Sequence, residues 1–234
     1  RVIGGWRPND KTANGRVQKA RIVISNLADG SEREEYVISR RNWGLPVTKL
    51  NGVWWCKYNA IGDAKNFSEQ ILSSADPAAM AGKTVFDYLR DCTADEFFNL
   101  WKWNYQGKSS QGLQVIDDGG VAKLEGYSSS TEHINKIDAK ALAPDGYELP
   151  SMENFERVFN STSGTIWLMW DGSHTTAWNG STTMQRRQRR RNDVTVGTVS
   201  LTDLIYISMY NQSEPEYEPI VWYGSSPQWN DNGI

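Results

Sequence analysis

The chain has 234 residues, with 25 Lys and Arg against 28 Asp and Glu and a net charge of -3. That length suits one large domain or two small ones, and the near-neutral balance argues against nucleic-acid binding over the whole surface. Two cysteines, Cys56 and Cys92, exclude a disulfide scaffold and a four-cysteine zinc site, and no apolar run reaches the roughly 18–20 residues of a membrane span.

Arg1 stands where a Met would open a primary product, so the chain reads as processed or as a fragment. No charged start leads into an apolar stretch, and no signal peptide is expected. Residues 17–39 alternate as strands do. They carry β-branched Val17, Ile22, Val23 and Ile24, then the Asp29-Gly30 turn signal, then the extended run Glu35-Tyr36-Val37-Ile38. This predicts a hairpin. A second hairpin follows from Leu45-Pro46-Val47, an Asn51-Gly52 turn and residues 53–58. Alternation puts Val53, Trp55 and Lys57 on one face of it and Trp54, Cys56 and Tyr58 on the other. Cys56 is expected to be a buried thiol.

Helices come next. Asp63 is expected to cap a short one through Asn66, Phe67, Gln70, Ile71 and Leu72, and 84–89 reads as another. Thr93 with Glu96 three residues on forms a capping box, after which Phe97, Leu100, Trp101 and Asn104 recur at helical spacing as core residues. Residues 106–131 are rich in Gly, Ser and Asp and predict loops or short hairpins. Asp117 and Asp118 could meet a cation, but without further ligands in register a solvated turn is the better reading. Pro144-Asp145-Gly146 is a turn into Tyr147-Glu148-Leu149-Pro150, and Ser151 caps a helix over 152–159 with Phe155 and Phe159 on one face. A strand over 165–170 closes at Asp171-Gly172-Ser173. Residues 174–196 are polar and basic, 199–209 reads as a strand region, and the last 25 residues are aromatic and turn-rich. There is no internal repeat. The sum is an α+β chain with short antiparallel strands, about three helices and long loops in its second half.

The aromatic content sets the functional question. There are 11 Trp, 10 Tyr and 6 Phe, many of them beside Gly, Ser, Asn and Asp. Rings among small polar residues make recognition surfaces, and they also plug irregular cores. Five arginines crowd into Arg186, Arg187, Arg189, Arg190 and Arg191, similar to an arginine-rich RNA-binding peptide. The rest of the chain is distinctly acidic and would repel phosphate. Pairing with the chain's carboxylates, or with an acidic neighbouring subunit, is the better reading. Hydrolysis by two carboxylates would draw on Asp171, Asp203, Glu214, Glu216 and Asp231, which the sequence alone does not pair. His133 and His174 are the only histidines, and neither sits in a nucleophile or metal motif.

Residues 1–5, Arg-Val-Ile-Gly-Gly, are similar to the activated N-terminus of trypsin-like proteases, but no Gly-Asp-Ser-Gly-Gly follows and that reading is rejected. A second resemblance covers roughly residues 40–234. Gly146-Tyr147-Glu148-Leu149-Pro150-Ser151-Met152-Glu153-Asn154-Phe155-Glu156 resembles the Gly-Tyr-Arg-Leu-Pro-Thr-Glu-x-Glu-Trp-Glu segment of the formylglycine-generating-enzyme branch of C-type-lectin-like folds. Glu148 replaces the usual Arg and Phe155 the usual Trp. Upstream, 51–62 and the helix around 84–103 look like the Trp-rich strand and helices of such folds. Downstream, Trp167-Leu168-Met169-Trp170-Asp171-Gly172-Ser173 looks like their core strand and turn. The branch's oxidase holds copper on a pair of cysteines in its C-terminal half, and no cysteine follows Cys92 here. The resemblance therefore implies its non-catalytic members, among them phage receptor-binding proteins of the major tropism determinant kind.

Trp229-Asn230-Asp231 also resembles the Trp-Asn-Asp triplet of calcium-dependent sugar-binding lectins, and Glu214-Pro215-Glu216 their Glu-Pro-Asn. The second Glu departs from that pattern, so no cofactor is expected and calcium stands as the lesser alternative. If 214–219 is extended, its three carboxylates share a face.

The expectation is a C-type-lectin-like α+β protein in two parts. Residues 1–40 form an N-terminal strand segment that oligomerises, and 41–234 form the binding domain. It would be a non-enzymatic virion-surface adhesin, a phage tail-fibre or receptor-binding protein acting outside the cell. Its partners would be a host glycan or protein receptor and other virion subunits, as a homo-oligomer, with no membrane insertion and no nucleic acid. Trp178, Trp222, Tyr223 and Trp229 would stack on the ligand, and Asn179, Ser225, Asn230 and Asp231 would supply hydrogen bonds. A structural capsid or tail decoration protein, and an enzyme of the same fold, are the alternatives.

Overall fold

The first element among the described residues is the predicted hairpin. In the computed structural model, which describes residues 17–26, 29–30, 33–41, 44–128, 138–144, 146–151, 153–154, 175–177 and 184–224, β1 (Val17–Ile24) pairs antiparallel with β2 (Glu34–Arg41). Between them Gly30, at φ 69, donates its N–H to Asn26 O at 3.0 Å. The ribbon is a two-stranded sheet of its own among the described residues.

The second hairpin is β3 (Val47–Leu50) with β4 (Val53–Cys56). Asn51 (φ 49) and Gly52 (φ 82) supply the two positive φ angles that a two-residue turn of matching twist requires. Alternation then sends Leu50 and Trp55 inward and leaves Trp54 and Cys56 exposed. Cys56 is thus not the buried thiol expected, because it shares Trp54's outer face. The strand ends there, and in the bend beyond it Lys57 and Tyr58 are both buried.

The helical stretch is more broken than its periodicity. Asp63 does not cap a helix. It bridges to Gln111, while Asn66 caps a 3-10 turn over Phe67–Glu69 by accepting from Ser68 N at 3.2 Å. A second 3-10 turn (Ser73–Ala75) leads to α1 (Pro77–Met80), capped by Asp76 with Pro77 at its first position. Thr84 caps α2 (Val85–Asp91), and Thr93 with Glu96 forms the expected capping box on α3 (Ala94–Trp101). Phe97, Leu100 and Trp101 are buried. Asn104 leaves the helical register: α3 stops at Trp101, and Asn104 pairs with Leu113 on β5 (Trp103–Asn104).

The Gly- and Asp-rich region contains β6 (Leu113–Asp117) and β7 (Ala122–Leu124), joined through Asp117-Asp118-Gly119-Gly120. Asp118 pairs with Lys123, and the Asp117 carboxylate accepts from Gly120 N, Thr198 N and Thr198 Oγ1, each at 2.7 Å. The acidic pair is thus engaged in a turn and a tertiary clasp.

The remaining strands are β8 (Thr175–Ala177), β9 (Met184–Arg191), β10 (Val194–Val196), β11 (Val199–Leu201), β12 (Leu204–Asn211) and β13 (Ile220–Gly224). An antiparallel sheet of order β13-β12-β9-β8 carries the core, and β10–β11 form a separate hairpin. The predicted strand region over 199–209 is split at Asp203. This residue adopts φ 59, takes a hydrogen bond from Arg190 and donates its N–H to Asn192. The predicted strand over 165–170 and the helix beyond Asn154 lie outside the described residues. Ser151 accepts from Asn154 N at 3.2 Å, as a cap would.

The central sheet is covered on both faces. Tyr206 and Tyr223 are paired and, with Leu204 and Val221, pack toward α2 and α3; the Tyr206 ring lies 5.2 Å from Phe86 and 5.9 Å from Phe97. Ile207, Met209, Ile220 and Trp222 face the other way, onto Leu50 and Trp55 of the second hairpin. Burial on both sides explains why Leu204-Ile205-Tyr206 is apolar without alternating. The observed architecture is α+β, with three short helices and several small antiparallel sheets among the described residues.

Candidate functional site

Two of the residues expected to touch ligand are described, and both serve the interior. Tyr223 is a correction to the sequence reading. It is buried, its hydroxyl accepts from Asn59 N at 2.9 Å, and its carbonyl accepts from Asn59 Nδ2 at 2.9 Å. Alternation on β13, read beside the pairing with Tyr206, turns its ring to the helices. Trp222, its neighbour, takes the opposite face, where it is half-buried with its ring 6.0 Å from Trp55. The structure brings neither together with a ligand group. Trp178, Asn179, Ser225, Trp229, Asn230 and Asp231 lie outside the described residues, as do His133, His174 and Asp171.

The 214–218 carboxylates also depart from expectation. The segment turns rather than extends, with Glu214 N donating to Asn211 O and Tyr217 N to Glu214 O. Glu214 accepts from Asn51 N at 3.1 Å and so holds the β3–β4 turn. Glu218 points inward. Asp203, another candidate acid, pairs with Arg190. No group of three or more His, Cys, Asp or Glu able to hold a metal occurs among the described residues.

Glu218 belongs to a polar cluster that the sequence reading missed. Lys57 Nζ stands 2.9 Å from Asp76 Oδ2 and 3.0 Å from Glu218 Oε2. Tyr58 donates to Asp76 Oδ1 at 2.7 Å and accepts from Ala78 N at 3.2 Å, while Ala79 N donates to Asp76 Oδ1 at 3.0 Å. Burial, then the adjacent Asp76 carboxylate, raises the Tyr58 phenol far above its ordinary range, so it remains a donor. The cluster pins the end of β4 to the first turn of α1 and to the segment before β13. Its one legible sign is Asp76-Pro77, an N-cap followed by Pro at N1.

Beside it lies a depression of about 120 Å³ lined by Leu45, Pro46, Cys56, Tyr58, Ile71 and Tyr147, among others. The Gly-Tyr-Glu-Leu-Pro segment forms one wall, and Tyr147 OH accepts from Leu45 N at 2.8 Å. The volume is well below the roughly 300–1,000 Å³ of sites that enclose small molecules. It has room for a single side chain or a small functional group. Cys56 reaches its rim; although the residue is exposed, protein crowding its sulfur pushes the thiol up to about 11.

The arginine run is a sheet strand. Arg187 lies over Phe86 at 5.0 Å and Arg191 over Phe97 at 5.2 Å. Arg191 Nη1 donates to Leu89 O at 3.1 Å and Cys92 O at 2.7 Å, and its guanidinium grips Asp193. The Arg191 guanidinium caps α2, and both guanidiniums lie over core rings.

The exposed apolar surface lies elsewhere. Of the nine large hydrophobic residues exposed among those described, five, Val23, Ile24, Tyr36, Val37 and Ile38, belong to the β1–β2 ribbon, and Trp54, Met80, Val121 and Tyr127 are scattered elsewhere. No family model matches the chain, and no curated protein or solved structure matches it.

Proposed function

We propose that this chain is a virion-surface adhesin of C-type-lectin-like fold, a phage tail-fibre or receptor-binding protein. In this reading it binds a host glycan or protein without catalysis or cofactor and works within a homo-oligomer. The observation that carries the reading is the ribbon. A two-stranded hairpin is marginal by itself in water, yet this one displays Ile24 (54% exposed), Tyr36 (51%) and Ile38 (43%). A segment built so is made to be covered in an assembly, and repeated weak contacts gain from multivalent display. The aromatic, small-polar residues that follow Gly224 continue from the edge strand of a sheet packed on both faces, a rigid base for a contact surface. Burial of Tyr223 narrows the proposed contact residues to Trp178, Asn179, Trp222, Ser225, Trp229, Asn230 and Asp231.

The test is deletion of 225–234 in the intact virion. The adhesin reading expects loss of host-cell binding with normal particle assembly. Normal binding by the deleted particles would overturn it, and failed assembly would favour the decoration-protein reading, which the exposed ribbon also suits.

A further inference from the structure

Two features meet on the outer face of the second hairpin. Register sets Lys49 opposite Trp54 and Val47 opposite Cys56, so these side chains share the face turned away from Leu50 and Trp55. The first feature is an aromatic corner. Trp54 is 44% exposed, and Tyr217 meets it edge-to-face, with ring centres 5.7 Å apart and planes at 83°. Lys49 Nζ stands 5.4 Å from the centre of the Tyr217 ring and makes no ion pair among the described residues. The hairpin beneath is held firmly, because Asn51-Gly52 closes it and Lys57 ties its end to Asp76 and Glu218. An exposed indole on such a base is preorganised for a ligand.

The second feature is the depression of about 120 Å³. Cys56, which stands at its rim, follows Trp54 by two residues on the same face, about 7 Å along the strand. Leu45, Pro46 and Ile71 give the depression an apolar lining, and Tyr147 and Glu148 bring two polar groups to it. The Tyr147 hydroxyl accepts from Leu45 N, and its own proton meets no acceptor among the described residues. The exposed Glu148 carboxylate has no partner among them either. The depression therefore sets a donor and an anionic acceptor beside room for one small apolar group.

A secondary acetamide is the complement of that set. Its methyl fills the apolar space, its carbonyl accepts from Tyr147 and its N–H donates to Glu148. The neighbouring indole suits the C–H face of a sugar ring. An acetylated lysine offers the same amide but no ring to cover Trp54. We infer that this face binds an N-acetylated hexosamine of a glycan, with the ring against Trp54 and the acetamido group in the depression. The inference rests on the adhesin reading and deepens it, naming a ligand class and adding a contact surface to the C-terminal candidates. A single site this small binds weakly, at about 1–10 mM, and gains from multivalent display.

The experiment is a chemical-shift titration of the whole isotope-labelled chain with N-acetylglucosamine and N-acetylgalactosamine, against glucose and galactose. The indole N–H resonance of Trp54, identified by its loss in Trp54→Ala, reports the contact. At least one acetamido sugar is expected to shift it, and its parent sugar should bind at least about tenfold more weakly. Trp54→Ala, and capping of Cys56 with N-ethylmaleimide at the rim of the depression, should each weaken binding at least about tenfold, followed on the remaining resonances. Glu148→Gln should weaken it about threefold or more, whereas Tyr127→Ala, at an exposed ring elsewhere, should leave it within about twofold. No shift with either acetamido sugar up to about 50 mM, equal shifts with the parent sugars, or binding indifferent to capping of Cys56 would each overturn the inference. Should Trp54→Ala alter thermal unfolding, the capped wild type and Glu148→Gln decide. Virions that attach to host cells through this chain although it ignores both acetamido sugars defeat this inference and spare the adhesin reading. A chain that binds the sugars but whose removal leaves attachment intact does the reverse.

Discussion

Replacing Lys57 by Met tests whether the buried polar cluster holds the second hairpin to the rest of the fold. Met keeps the length and apolar stem of the side chain and removes the ammonium. Its two carboxylate partners are not equivalent. Glu218 is 24% exposed and can turn to water, whereas Asp76 is fully buried and retains only Tyr58 OH and Ala79 N–H. Breaking a buried ion pair from one side costs about 3–5 kcal/mol, and the two remaining donors place Asp76 near the lower end. At about 2–4 °C per kcal/mol for a domain this size, a loss of about 3 kcal/mol lowers Tm by about 6–12 °C. Denaturant unfolding followed by tryptophan fluorescence, alongside calorimetry, measures both. The double variant Lys57→Met/Asp76→Asn should recover about half of the loss, because Asn still accepts from Ala79 N without a stranded charge. A loss below about 1 kcal/mol for Lys57→Met, or no recovery in the double variant, would show that the cluster does not hold these elements together.

Other substitutions probe single contacts. The Gln188 side chain is buried and neither amide atom has a hydrogen-bond partner among the described residues, so Gln188→Met should stabilise by about 1 kcal/mol in denaturant melts; destabilisation would show that the amide has a function. Gly197 sits at φ 56, and a Cβ there would stand 2.4 Å from Asp117 Oδ2 and 2.7 Å from its Cβ, so Gly197→Ala should cost about 1–3 kcal/mol in the same melts. The hydrogen bonds from Thr198 and Gly120 hold the Asp117 carboxyl below its usual range. Their contribution is present above the unfolded value of about 3.9 and is lost as pH falls through the lower folded value, so the Thr198 amide resonance should shift only below that pH. Asp117→Asn should abolish the shift. A maleimide should label Cys56 in the native protein and Cys92 only on unfolding, with the Cys56 rate still rising between pH 9 and the thiol's value of about 11. A rate that levels off near pH 8.5 would contradict that value.

What was legible in the sequence was local. Asn51-Gly52 dictates its own turn because both φ angles must be positive, and Thr93 with Glu96 dictates a helix start because each satisfies the other's backbone donor. The β1–β2 hairpin was legible for the same reason. Asp63 misled because Asn66, read as a residue inside the helix, holds the Ser68 amide and starts a 3-10 turn instead. The 184–191 strand was illegible, since a strand is ordinarily recognised by apolar alternation. Here Arg187 and Arg191 do the apolar work with their stems and planes over Phe86 and Phe97. The Lys57 cluster joins residues up to 161 positions apart in sequence, and no local pattern announces such a contact.

The fate of Tyr223 bears on every aromatic in this chain. Val221-Trp222-Tyr223-Gly224 reads as a polar-flanked aromatic loop until it is paired with β12. Pairing then fixes a period of two and sends adjacent rings to opposite sides of the sheet. Trp222 goes to the Trp55 side and Tyr223 to the helix side, so composition alone could not distinguish contact surface from core. Composition beside Gly and Ser marks an end of an element as readily as a loop, and strand register decides which rings remain available. Along 220–224 register withdraws Tyr223 wholly and Trp222 in part. It leaves the proposed contact face to the candidates outside 220–224, Trp178, Asn179, Ser225, Trp229, Asn230 and Asp231, while both clusters of the core hold the sheet itself in place.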